Sequence, residues 1–283
     1  MEVMESAFWE QVAADGHRVP TERSLSELTA ELTSMLGDPD PYIRDDIALG
    51  TLTTWIREGV YDDLLEGLGD GMAAGLVIGL GTTSSDTVFR RSCSCVVLTE
   101  CVQRDNEVRL MSPDTILRWG DRVMSWLVRE RDLRAFVPGK GWAHTLAHGA
   151  EALRALALSE AIGRLELTVL LDVVADRLCE PTDFRLGYGE EDRLASATLT
   201  MIRRDILPMD VLDPWVSRLV EAASAQREGD PPAAPRNVQA YLRALHLQLA
   251  LAPDPPTCRA DLLLSLISGL KRSNPVLRGE SWR

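Results

Sequence analysis

The chain is poor in aromatic residues, nearly free of lysine, short of histidine and without a long apolar run, and each shortage removes a class of protein. Aromatic residues make up 5% of the 283 positions. Runs of alternating Val, Ile or Thr bounded by hairpin turns are not evident, so an all-β sandwich or barrel is not expected. No apolar stretch approaches the roughly 18 residues that a membrane-spanning helix needs, so no membrane segment is expected. The opening MEVMESAFWEQ is acidic and lacks a basic leader segment, which predicts a cytoplasmic protein without a signal peptide. The five cysteines, Cys93, Cys95, Cys101, Cys179 and Cys258, include no C-x-x-C pair, so the spacing of zinc ribbons and redox motifs is absent. Cys93 and Cys95 fall in an apolar segment and read as small buried residues. Lys140 and Lys271 are the only lysines, and the formal net charge is −13. That balance disfavours nucleic-acid partners, whose phosphates are held mainly by Lys and Arg.

Two catalytic signatures are also missing. Gly67, Gly69, Gly71, Gly75, Gly79 and Gly81 form a glycine-rich helical stretch, but no strand precedes it and no G-x-x-x-x-G-K-[ST] loop occurs, so it is not a phosphate cradle. No G-x-S-x-G elbow is present for acyl chemistry, and Ser92 and Ser94 fall within a helix expected to be buried.

What is present is helical periodicity. SLSELTAELTSML, YIRDDIALGTLTTWIREG, DTILRWGDRVMSWLVRERD, LELTVLLDVVADRL and DLLLSLISGLKR each carry apolar residues at spacings of three and four. GDPDP at 37–41, VPGKG at 137–141, EPTD at 180–183 and GDPPAAP at 229–235 read as inter-helix loops. Asp172 and Asp176, four apart on a helix, are expected to pair with Arg177 and neighbouring arginines. A repeat emerges when helix entries are aligned on Arg44, Arg90, His144, Arg193 and Gln239: the steps are 46, 54, 49 and 46 residues, near the roughly 40 to 47 of HEAT-type repeats. One helix pair cannot bury its apolar face alone, so stacked neighbours share a core. The expected fold is all-α, a HEAT-like α-solenoid (α/α superhelix) of about five helix pairs. It is read as one domain over 1–283, with a capping extension at 1–24, repeats over 25–270 and a tail at 271–283.

The chemically dense segment is GKGWAHTLAHGAEAL at 139–153, which holds two of the four histidines. Residues four apart on a helix share a face, so His144 and His148 are expected side by side, with Glu151 one turn further. Two imidazoles at this spacing suit a divalent transition metal, but the H-E-x-x-H form is absent, and a third ligand would have to come from Glu151, Asp132 or another repeat. The bland alternative makes His144 one rung of a polar ladder, standing where Arg44 and Arg90 stand in the earlier repeats. Between Arg118 and Lys140 lie six basic and three acidic residues. Here Arg129 and Arg131 are expected to pair with Glu130 and Asp132, or the loop carries Asp132, Arg134 and Trp142 to the histidines.

Three motifs together carry a resemblance: Asp86 with Phe89-Arg90-Arg91-Ser92, then Glu130-x-Asp132-Leu133-Arg134, then Gly141-Trp142-Ala143-His144-x-x-Ala147-His148. In order and spacing they resemble the domain-of-unknown-function family numbered 2785, over residues from about 40 to 270. The resemblance implies a helical HEAT-like fold and no established activity. The usual family string before the loop is ExDxRGY, where this chain has Ala135 and Phe136, and the residue after AHGA is usually Asp, where this chain has Glu151.

The resulting expectation is a binding module whose groove centres on Trp142, His144, His148, Asp132, Arg134 and Arg90 and takes a small molecule or a protein segment. The alternative is an enzyme at the same patch acting on a small molecule. His144, His148, Asp132 and Glu151 would then be its catalytic candidates, with His144 and His148 as metal ligands if it is metal-dependent.

Overall fold

A computed structural model describes residues 2–225 and 233–274. Within them the chain is all-α: twelve α-helices and one two-strand sheet. It divides into two compact units, Met1–Ala155 and Leu156–Arg283. Among the described residues no helix is long and apolar enough to cross a membrane.

The first unit contains α1 (Glu2–Ala14), α2 (Leu25–Met35), a π-helical stretch at Tyr42–Leu49 that runs into α3 (Gly50–Arg57), then α4 (Leu65–Gly75), α5 (Thr87–Val108) and α6 (Pro113–Arg129). A hairpin of β1 (Phe136–Val137) and β2 (Gly141–Trp142) leads into α7 (Thr145–Leu158), which crosses the unit boundary. Local sequence explains where these helices start. Ser24 accepts from the Glu27 backbone and Glu27 returns the bond to Ser24, a capping box at α2. Ser112 caps α6, and Pro113 takes the first position, where no backbone donor is needed. Along α6 the buried residues Ile116, Trp119, Val123, Trp126 and Leu127 recur every three or four positions, so one stripe faces the core.

Helix α5 is different, being buried nearly all round, from Val88 and Phe89 through Cys93, Cys95, Leu98 and Val102. It packs on α3, α4 and α6 and is the axis of the unit. Polar residues on such a helix must find partners, because an unpaired buried polar group is costly. Glu100 takes Arg57 at 2.8 Å, Asp105 accepts the Met111 backbone at 2.7 Å, and Arg91 and Ser92 face the segment described below. Cys93, Cys95 and Cys101 are buried free thiols on this helix, and burial pushes the thiols of Cys93 and Cys95 up to about 12. They are inert small residues, as their apolar setting predicts.

The second unit holds α8 (Arg164–Cys179), α9 (Glu190–Ile202), α10 (Met209–Ser224), α11 (Ala233–Leu251) and α12 (Arg259–Ser273). Alternate helices lie side by side: α8 against α10, α10 against α12, and α9 against α11. The result is two layers of helices around one core. Trp215 donates to the Leu171 carbonyl at 2.8 Å between α8 and α10, and Thr198 meets Tyr241 at 2.7 Å between α9 and α11. Asp176 pairs across helices with Arg218. Arg204 donates to the carbonyls of Ala157, Ser159 and Ile162, closing the turn before α8. The loop expected at 229–235 lies outside the described residues up to Pro232, and Ala233 already opens α11. Of the expected tail, 271–273 complete α12 and residues from 275 on lie outside.

Two glycines on α4 separate packing from propensity. A Cβ on Gly69 would stand 2.1 Å from the Trp119 ring, whereas one on Gly67 meets nothing within 4 Å. Gly69→Ala is therefore expected to destabilise by ~1–3 kcal/mol through overpacking, and Gly67→Ala to stabilise by ~0.5–1 kcal/mol through helix propensity. Urea unfolding of both variants checks the pair, and equal effects would sink the assignment.

Candidate functional site

The candidate site belongs to the first unit and rests on one buried ion pair. Arg91 on α5 and Glu130, the residue that ends α6, are both fully buried and join through Nε to Oε2 at 2.5 Å and Nη2 to Oε1 at 2.9 Å. The guanidinium also donates to the Ile78 and Gly79 carbonyls and the Thr87 hydroxyl at 2.9 to 3.1 Å. The carboxylate also accepts Trp126 Nε1 and the Asp132 backbone N–H, each at 2.9 Å. Because both charges are bonded this completely, the desolvation that makes buried ion pairs costly is offset.

The Asp132 N–H bond turns the chain into the next segment. Asp132 is 2% exposed, and its carboxylate takes both Nε and Nη2 of Arg134 at 2.7 and 2.6 Å. This pairing raises the Arg134 pKa further. Arg134 also reaches the Ser85 carbonyl at 3.0 Å, and Thr145 donates to the Asp132 carbonyl at 3.0 Å. The expected pairing of Arg129 and Arg131 with Glu130 and Asp132 is thus corrected: the two carboxylates turn inward to Arg91 and Arg134, while Arg129 and Arg131 stay exposed.

The expected VPGKG loop is the turn of the β1–β2 hairpin. Its inner residues Val137 and Ala143 pack on Val88 and Phe89 of α5. Lys140 at the turn pairs with Asp86 at 2.6 Å, and its carbonyl accepts Arg44 Nη2 at 2.9 Å. Arg44 comes from the π-helical stretch, is fully buried, lies over the Phe89 ring at 4.1 Å and donates to the Asp38 carbonyl at 3.0 Å. Gly141 has φ +82, and a Cβ there would press on Arg44 and Pro41 at 3.2 Å, so both backbone and space call for glycine.

His144 is not on the helix. Helix α7 starts at Thr145, and His144 precedes it at φ +49, its carbonyl accepting the His148 N–H at 2.9 Å. The backbone N–H groups of Ala143 and His144 both bond the Ala135 carbonyl, at 2.7 and 3.1 Å. The two rings nevertheless meet, with centroids 5.8 Å apart and planes at 64°. Trp142 lies flat on His144, centroids 4.2 Å apart and planes 3° from parallel, and Phe136 meets Trp142 edge-on at 4.9 Å. Both aromatic residues are exposed, at 43% and 42%.

Ser92 fixes His148 from below. Its hydroxyl donates to the Ala143 carbonyl and lies 2.8 Å from His148 Nδ1. A carbonyl can only accept, and serine has one proton, so Nδ1 must be the donor to Ser92. The neutral imidazole is then the Nδ1–H form with its lone pair on Nε2. Ser92 stands in the first of the three motifs, but no spacing rule links it to a histidine 56 positions away.

Of the residues expected together, Trp142, His144 and His148 meet in one cluster, with Asp132 and Arg134 held beneath the segment that carries them. Glu151 pairs with Arg154 at 2.9 Å. Arg90 packs against Gly37 and Gly75, and among the described residues it forms no ion pair; burial lowers its pKa. Among the described residues no three His, Cys, Asp or Glu side chains stand together to hold a metal.

The model of a family described as "Protein of unknown function (DUF2785)" matches residues 76–247, which contain all three motifs. The chain belongs to the DUF2785 family. The match is narrower than the 40–270 read from the motifs. No curated protein and no solved structure gives a match. Family membership brings no activity with it, so the chemistry of the segment is read from its geometry.

Two outcomes follow from that geometry. Arg91→Ala leaves Glu130 as a buried unpaired charge and is expected to cost ~3–5 kcal/mol in denaturant unfolding; a loss under ~1 kcal/mol would show that the pair is not the anchor. In long-range ¹H–¹⁵N spectra, neutral His148 is expected as the Nδ1–H tautomer, and Ser92→Ala is expected to release that preference. An Nε2–H signature in the wild type contradicts the assignment.

Proposed function

We propose that the protein is a helical-repeat binding protein whose recognition surface is the patch formed by Phe136, Trp142, His144 and His148. The observation that carries the reading is Trp142, 43% exposed yet stacked on His144 and seated on a hairpin tied down by buried groups. A rigid exposed indole offers a large contact area with little conformational entropy to lose, which is why tryptophan recurs at binding hot spots. The left-handed backbone of His144 adds strain at the same place, and such strain clusters at functional sites. The ligand class that suits the patch is a small molecule or protein segment presenting a planar group that can also hydrogen-bond. Entry steps of 46 to 54 residues and the two-layer order of the second unit support repeated helix pairs of the HEAT kind, the building block of a solenoid.

A second reading makes the patch an enzyme site acting on a small molecule. One observation favours it: Ser92 holds His148 with its basic lone pair on Nε2, as an oriented general base requires. A metal held by His144 and His148 would need a further donor, while Asp132 is committed to Arg134 and Glu151 pairs with Arg154.

Thermal-shift screening of the wild type with nucleosides, aromatic amines and short aromatic peptides, followed by titration calorimetry on variants, tests both readings. The binding reading expects a saturable ligand whose affinity falls about tenfold or more in Trp142→Ala and in His148→Ala, with Trp142→Ala melting close to wild type. A ligand whose affinity survives Trp142→Ala sinks it. Turnover that is abolished by His148→Ala favours the enzyme.

A further inference from the structure

A cleft of about 410 Å³ lies on the first unit between α4 and α6, lined by Asp70, Ala73 and Val77 on one side and Arg118, Trp119 and Arg122 on the other. None of the residues of the histidine patch lines it. Its volume falls within the roughly 300–1,000 Å³ of small-molecule sites.

The charges of the cleft are unequal in what they are committed to. Arg118 is shared between Glu66 and Asp70, each at 3.1 Å. Asp70 is held below the usual carboxylate range by the Trp119 indole N–H, donated at 2.8 Å, with Arg118 adding to the effect against burial. It therefore stays ionised, and both its oxygens already accept hydrogen bonds, Oδ1 from Trp119 and Arg118 and Oδ2 from Arg118. Arg122, one turn further along α6, is exposed and makes no ion pair or hydrogen bond among the described residues. Arg118 is thus taken up by two carboxylates, and Arg122 is left as the uncommitted cation of the cleft. The rest of the lining is apolar: Ala73 and Trp119 are buried beneath it, and Ala74 and Val77, the latter 52% exposed, present the open surface.

A single uncommitted cation beside an apolar wall selects one kind of ligand. We infer that the cleft binds a small organic monoanion, a carboxylate with a compact apolar body. Its charge sits on Arg122, and its body lies against Val77 and Ala74. One free guanidinium favours a monoanion over a phosphate dianion, and Asp70 repels a second negative group. The site is independent of the histidine patch.

Titration calorimetry of the full chain with 2-naphthoate and its neutral counterpart 2-naphthamide tests the inference. The expected result is one saturable site for naphthoate, with naphthamide about tenfold weaker or more. Arg122→Ala should bring naphthoate down to the amide's affinity. Val77→Asp, which sets a competing carboxylate beside Arg122, should weaken naphthoate to a similar degree. His148→Ala should leave it unchanged. Arg122 and Val77 are exposed, and matching thermal melts confirm that their variants fold. Equal affinity for the two probes, naphthoate binding unchanged in Arg122→Ala, or no saturation at millimolar probe overturns the inference; loss of binding in His148→Ala does so too, by placing the ligand at the other patch.

Discussion

The Arg91–Glu130 pair is the contact on which the rest of the candidate site depends. It binds the central helix α5 to the residue that caps α6 and, through Ile78 and Gly79, to the turn after α4. Three elements therefore meet at one guanidinium. From Glu130 the chain is steered step by step: its carboxylate takes the Asp132 N–H, Asp132 takes Arg134, and the Asp132 carbonyl takes Thr145 at the start of α7. Each group that could have faced a ligand from beneath is already committed to holding the segment in place. What the scaffold presents outward is aromatic and imidazole surface.

This division explains which residues the sequence betrayed and which it concealed. Periodicity locates α2, α6, α8 and α12, because each buries a stripe of apolar residues that recurs every three or four positions. A polar ladder at the helix entries was legible as a type; the arginines that bind turn carbonyls are Arg44, Arg91 and Arg204. The particular rung was not legible: aligning helix entries picks Arg90, while its neighbour Arg91 faces the loop. Adjacent residues on a helix point about 100° apart, and only packing decides which one turns inward.

The hairpin was invisible for a related reason. Two residues per strand are too few for any alternation to register, and the pairing is stabilised by Arg44 and α5 rather than by strand propensity. Once Gly141–Trp142 is a strand, His144 has to turn the chain into α7, and it does so in the left-handed region. The spacing of four between the histidines therefore brings the rings together through a turn and the first helical turn, not along one helix face. A spacing rule found the right neighbours through the wrong geometry.

The same geometry settles what the departures from the usual DUF2785 pattern change. Ala135 stands where the family pattern has glycine, and it is buried and outside the left-handed region. Its role is carried by its carbonyl, which accepts the N–H groups of Ala143 and His144, and alanine supplies that as well as glycine does. Phe136 stands where the pattern has tyrosine, and it is 42% exposed with its ring edge-on to Trp142 at 4.9 Å. The ring contact needs no hydroxyl. Glu151 in place of Asp has the reach to pair with Arg154 one turn along α7. All three replacements leave the Trp142, His144 and His148 cluster intact, because the ring contacts that build it need neither a phenol nor a loop glycine.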